Sequence, residues 1–166
     1  MDFKKTGVEE NIKVVGVMFV CMGNICRSPM AEAVFQWMVD QQSLSDKIKV
    51  ASSAVGDWHI GERPHPGTQA VLKQNHIPLN PQKRALLLRP PHFQQYQYML
   101  ALDREVSDNI QHIFSRQVKR LLEYAPDTDT LDVPDPYYNH KFNLVYDLVT
   151  TGCIGLLEKI KEVEGL

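Results

Sequence analysis

No run of apolar residues in the sequence approaches the length needed to cross a bilayer, so no membrane span is expected. Met1 to Lys13 is charged and lacks the apolar segment of a secretory signal. The 166 residues hold only three cysteines, an odd number that does not make a disulfide framework and favours a reducing compartment. A cytoplasmic location is therefore expected. Charge of one sign is also missing: 18 basic against 20 acidic residues leave a formal charge of −2, which speaks against a general binder of nucleic acid or of anionic membranes. No internal repeat or low-complexity tract is present. The six histidines, at 59, 65, 76, 92, 112 and 140, are scattered, and Cys21 and Cys26 are followed by no second Cys/His pair at zinc-ligand spacing. No metal and no cofactor are expected.

What is present is one stretch around which the chain is organised: Val20-Cys21-Met22-Gly23-Asn24-Ile25-Cys26-Arg27-Ser28-Pro29. Before it runs Val14 to Val20 without a charge, as in a parallel strand covered on both faces. After it, Ser28 suits a helix N-cap and Pro29 the first helical position, and Met30, Val34, Trp37 and Met38 recur at helical spacing. Strand, loop and helix start thus meet within a few residues, and the free N–H groups of such a junction form an anion site. Gly23 permits close backbone approach to a ligand, and Asn24 tolerates the left-handed conformation that turns successive N–H groups inward. Arg27 supplies a planar fork matched to two phosphate oxygens. A thiol at the rim of this cradle would be held as a thiolate, which makes Cys21 a candidate nucleophile. Taken alone, Cys21 reads as a small buried residue at a strand end. The spacing of Cys21 from Arg27-Ser28-Pro29, with Gly and Asn between, shifts that balance.

The length suits a single domain over residues 13–166, preceded by a polar extension over 1–12. Ile48 to Ala51 is a second short strand, closing a β-α-β unit. A Gly/Pro-punctuated loop from Gly56 to Pro66 leads to a helix from about Gly67 to Asn75. Leu86-Leu87-Leu88 is expected to pack inward. Tyr96 to Leu102 reads as the third strand, and Asp103 as the cap of a helix running to about Phe114. Val118 to Leu122 is the fourth strand, and about 143–163 is an amphipathic last helix. There Gly152 and Gly155 either weaken the helix or mark a close approach to the sheet, and Cys153 packs in the core. The fold expected is α/β, a four-stranded parallel twisted sheet of order 2-1-3-4 with helices on both faces.

A thiolate that attacks phosphorus needs an acid opposite it to protonate the leaving group. Glu123 to Asn139 has no periodicity, and so long a loop in a compact domain is usually functional. It offers Asp127, Asp129, Asp132 and Asp135. Asp135 stands out because Pro134 and Pro136 stiffen the backbone on both sides. Met22, Ile25, Trp58, Tyr137 and Tyr138 would give the mouth an apolar, aromatic character that favours a phenyl phosphate over phosphoserine. Trp58 is costly to leave in water at a loop tip, so it is expected either to fold onto the domain or to form part of a binding wall.

The stretch Val20 to Ala33, together with Asp135-Pro136-Tyr137-Tyr138, resembles the low-molecular-weight protein tyrosine phosphatases, and the resemblance covers the chain from about Lys13. It implies a phosphatase acting on protein phosphotyrosine through a phosphocysteine intermediate, metal-independent, as a monomer or in weak self-association. Cys21, Arg27 and Asp135 would be catalytic, and Met22 to Arg27 would bind phosphate. Ser28 would support the thiolate, Ser52 would support Asn24, and Gln82 would support the loop. Trp58, Tyr137 and Tyr138 would wall the substrate. His65 stands where the family commonly has an aspartate between the prolines. Relatives acting on phosphoarginine tend to carry threonine where this chain has Ile25.

Arsenate reductases share the fold and a similar loop but relay oxidation through further cysteines, and nothing between Cys26 and Cys153 serves that purpose. A phosphate-binding module without chemistry would keep the cradle and lose the Cys21, Arg27 and Asp135 set. Cys26 reads either as a packed thiol or as the partner of a reversible disulfide with Cys21.

Overall fold

A computed structural model of the chain describes residues 13–166; the extension expected over 1–12 lies outside the described residues. Four strands, β1 (Val15–Cys21), β2 (Ile48–Ala54), β3 (Tyr98–Ala101) and β4 (Lys119–Arg120), form one sheet in the order β2-β1-β3-β4. All three pairings are parallel. β1 is buried along its whole length, which is why it is apolar without alternation. Val15, Val17, Phe19 and Cys21 face one core, and Met18 and Val20 face the other.

The first face is covered by α1 (Arg27–Gln41), α2 (Pro66–Gln74) and the long α6 (Phe142–Glu164). Phe35 of α1 meets Phe19 edge-on at 5.5 Å. The second face is covered by α4 (Arg104–Phe114), through Val106 and Ile110. Two one-turn helices, α3 (His92–Gln95) and α5 (Pro136–Asn139), lie in segments the sequence pattern leaves as loops.

Three local expectations are corrected. α1 begins at Arg27, so Ser28 is inside its first turn and caps nothing; Pro29 is tolerated there because its N–H would have no helical partner. The fourth strand stops at Arg120. Leu121 and Leu122, both fully buried, turn instead into a 3-10 helix over Leu121–Tyr124 that packs against α6. Leu88 packs inward, whereas Leu86 is exposed and lines a surface groove with Ile60.

The glycines of α6 mark a close approach. A Cβ on Gly155 would lie 1.9 Å from the Tyr124 carbonyl oxygen, and one on Gly152 would lie 2.7 Å from the Leu121 side chain. The helix therefore presses backbone-first on the 3-10 turn, and Cys153, fully buried between them in sequence, fills the space toward α1.

Candidate active site

The carboxyl ends of β1, β2 and β3 lie side by side, which gathers Cys21, the segment after Ser52 and Asp103 at one sheet edge. Cys21 ends β1, and the loop from Met22 to Cys26 leads into α1. Asn24 sits at φ 56, and its N–H points back to Cys21 Sγ at 3.3 Å. Gly23 has no positive φ. The group that approaches it is the His59 ring, 2.9 Å from where a Cβ would stand.

Such backbone strain at Asn24 persists only when its surroundings over-determine it. Its side-chain amide donates to Ser28 Oγ at 2.7 Å and to Ser52 Oγ at 2.9 Å, and its Oδ1 accepts from Leu86 N at 3.0 Å. Because Ser28 Oγ accepts from Asn24, its own hydrogen is free for Cys21 Sγ, 2.9 Å away. Ser52 in turn donates to Glu32 at 2.9 Å. Behind them lies Lys83, buried, 3.4 Å from Glu32 and donating to the Ser52 carbonyl at 3.1 Å. Burial lowers the Lys83 pKa even though Glu32 pulls the other way. Gln82 is not the supporting residue: it is exposed, in a turn held by Asn80, and the contacts expected of it come from Lys83 and Leu86.

The outer side of the loop is tied to α2. His65 N donates to the Ile25 carbonyl at 2.7 Å, and Thr68 Oγ1 to the Cys26 carbonyl at 3.0 Å. His65 caps α2 by accepting from Gly67 N at 2.9 Å through Nδ1, the task an aspartate does at such a position. Its ring also stacks on Phe142 at 5.0 Å.

Arg27 is 2% exposed. One of its nitrogens donates to the Asp103 carboxylate and, at 3.0 Å, to the Val133 carbonyl; the other lies 3.6 Å from Asp135. Burial works against the guanidinium charge, but Cys21 and Asp103 outweigh it and the pKa is raised. Asp103 does cap α4, accepting from Val106 N at 2.8 Å; its second oxygen, on Arg27, is the function the sequence reading missed. Parallel order alone held the signal, since it sets the end of β3 beside the end of β1.

Of the four loop aspartates only Asp135 lines the cavity. It is fixed by Tyr137 N, which donates to Oδ1 at 3.0 Å. Asp132 is used elsewhere, accepting from Arg104 N and Arg120. The cavity, about 430 Å³, has Cys21 and Arg27 at its base and Trp58, Tyr137 and Tyr138 on its walls, the last 80% exposed. His59 and Glu105, neither expected, also line it. Cys26 is buried, and its thiol is pushed up to about 12 by that burial and then by the charges of Cys21 and Asp135. It stays protonated at neutral pH. Among the described residues no cluster of three or more His, Cys, Asp or Glu side chains is arranged to hold a metal ion, and no helix is long and apolar enough to cross a membrane.

The family model for low molecular weight phosphotyrosine protein phosphatase matches residues 16–164. The chain belongs to this family. Among the phosphatases of this group it is 40% identical over 160 residues to YfkJ of Bacillus subtilis, covering 92% of this chain and all of that one. The YfkJ crystal structure superposes with a TM-score of 0.85 over 90% of this chain and 96% of that one. PtpA of Staphylococcus aureus is 41% identical over 150 residues, 89% of this chain and 94% of its own. A more distant relative is the arginine phosphatase YwlE, solved as a serine variant with a phosphorylated active-site serine. It is 26% identical, with a TM-score of 0.77 over 89% of this chain and 96% of that one.

Proposed function

We propose that this phosphatase hydrolyses phosphotyrosine in protein substrates, with Cys21 as nucleophile, Arg27 as phosphate clamp and Asp135 as general acid. One observation carries the reading: Cys21, Arg27 and Asp135 converge on a single cavity walled by Trp58, Tyr137 and Tyr138. Cys21 Sγ attacks phosphorus and the bond to the phenolic oxygen breaks, while the Asp135 carboxyl gives its proton to that oxygen. The N–H groups from Met22 to Arg27 and the Arg27 fork hold the equatorial oxygens. In the second step Asp135, now a carboxylate, takes a proton from water as the water oxygen attacks phosphorus. The sulfur–phosphorus bond breaks, and the returning thiolate receives the Ser28 hydroxyl and the Asn24 N–H.

The aromatic walls favour a phenyl leaving group, and Ile25 in place of threonine favours phosphotyrosine over phosphoarginine. Three free thiols fit a reducing cytoplasm, and the chain is taken to act as one domain, monomeric or weakly self-associating. Phosphate release from matched phosphotyrosine, phosphoarginine and phosphoserine peptides in EDTA tests the reading. Release is expected from phosphotyrosine alone, lost in Cys21→Ser and reduced about 10²- to 10⁴-fold in Asp135→Asn. An equal loss in Asp132→Asn would overturn the acid assignment, and preferred release from phosphoarginine would overturn the substrate.

A further inference from the structure

Glu105 lines the same cavity as Cys21 and Asp135 and has no part in the steps above. It stands exposed in the first turn of α4, two residues beyond Asp103. Among the described residues its carboxylate enters no hydrogen bond or ion pair, and the neighbouring Arg104 is turned toward Asp108 at 3.9 Å. An acid in the first turn complements the helix dipole, which explains Glu105 as part of α4. It does not explain a negative charge on the wall of a cavity that receives a dianion. The remaining charges there do not offset it: Arg27 is buried and engaged at the base, and His59 is held by Glu62 at 2.8 Å. The mouth therefore presents a surplus of negative charge to whatever flanks the phosphate.

We propose that Glu105 is a specificity residue that selects substrates carrying lysine or arginine beside the phosphotyrosine. The proposal rests on the phosphotyrosine reading above. The phosphate is bound at the base by Arg27, while a flanking ammonium or guanidinium meets Glu105 at the rim. Both charges stay partly hydrated, so the gain is about two- to fivefold per pair and weakens as salt rises. It is made equally in the bound ground state and in the transition state, and so falls in KM rather than kcat.

The test uses three phosphotyrosine peptides, identical except for Lys, Ala or Asp on both sides of the phosphotyrosine, with the full chain and with Glu105→Gln and Glu105→Lys. Wild type is expected to rank them Lys, Ala, Asp in kcat/KM, with the differences in KM and compressed at high salt. Glu105→Gln should flatten the ranking and Glu105→Lys invert it. Each ratio is taken within one variant, so a general loss from a weakened α4 cancels. The same Lys-to-Asp ratio in wild type and Glu105→Gln would overturn the proposal. No hydrolysis of the Ala peptide by wild type would instead overturn the phosphotyrosine reading, and this proposal with it.

Discussion

Replacing Lys83 with methionine removes a buried cation and leaves Glu32 without its partner. Breaking one side of a buried pair costs about 3–5 kcal/mol. Here the lower end applies, about 3 kcal/mol, because Glu32 is 15% exposed and keeps the Ser52 hydroxyl. At this chain length each kcal/mol moves the melting temperature by about 2–4 °C, so Lys83→Met should melt about 6–12 °C below wild type. Adding Glu32→Gln removes the orphaned charge while the amide oxygen still accepts from Ser52. The double variant should therefore recover to within about 1 kcal/mol of wild type, since a buried ion pair and its neutral replacement differ little. Urea denaturation of wild type, both single variants and the double variant gives the coupling directly. A Lys83→Met protein that melts with wild type, or a double variant that loses the full sum of the singles, would refute the account of the network behind the loop.

Asp103→Asn keeps a good helix cap but loses the charge on Arg27; a hydrogen bond to a charged group is worth about 1.5–3 kcal/mol. Turnover should fall about 10- to 100-fold with a melting temperature close to wild type, whereas equal turnover would show that Arg27 needs no partner. His65→Ala should cost about 0.5–2 kcal/mol through the lost α2 cap, and His65→Asp should restore most of it in a thermal melt. Iodoacetate at neutral pH is expected to label Cys21 alone among the thiols, with phosphate protecting it; Cys26 modified at an equal rate in peptide mass spectra would contradict this. On the alkaline side, burial raises the Cys26 pKa from 9.0 to about 12 and that of Cys153 further still. The unfolded chain loses those protons first. Their stabilising effect is complete below about pH 9 and declines as pH rises beyond it, so urea midpoints should fall there, and less steeply in Cys26→Ala.

Much of this was legible because the chemistry is local. Cys21 through Pro29 is contiguous, and its residue types point to the proposed cradle, nucleophile and clamp. The expected sheet order 2-1-3-4 is the one observed, and Asp135, singled out by its two prolines, lines the cavity. What was not legible depends on contacts between distant segments. Lys83 looks like any surface lysine until Glu32 and the Ser52 carbonyl are brought to it, and Gln82 beside it was the wrong neighbour. Ser28 has the chemistry of an N-cap, but the sulfur of Cys21 and the amide of Asn24 claim its hydroxyl. Asp103 satisfies a local rule so well that its second oxygen left no trace in the pattern. β4 stops at Arg120 because the chain turns at Leu121 into a 3-10 helix that packs against α6, a segment far along the chain.

The bare glycine at position 155 has a consequence for genetics. Any side chain there strikes the Tyr124 carbonyl, and a backbone atom cannot swing aside as a rotamer would. Such a substitution must lever α6 outward, and α6 starts at Phe142, just past the segment that carries Asp135. A screen for conditional alleles should therefore recover Gly155→Ala or Gly155→Ser as temperature-sensitive losses of function, far along the chain from Cys21 and with every group of the proposed phosphate site intact.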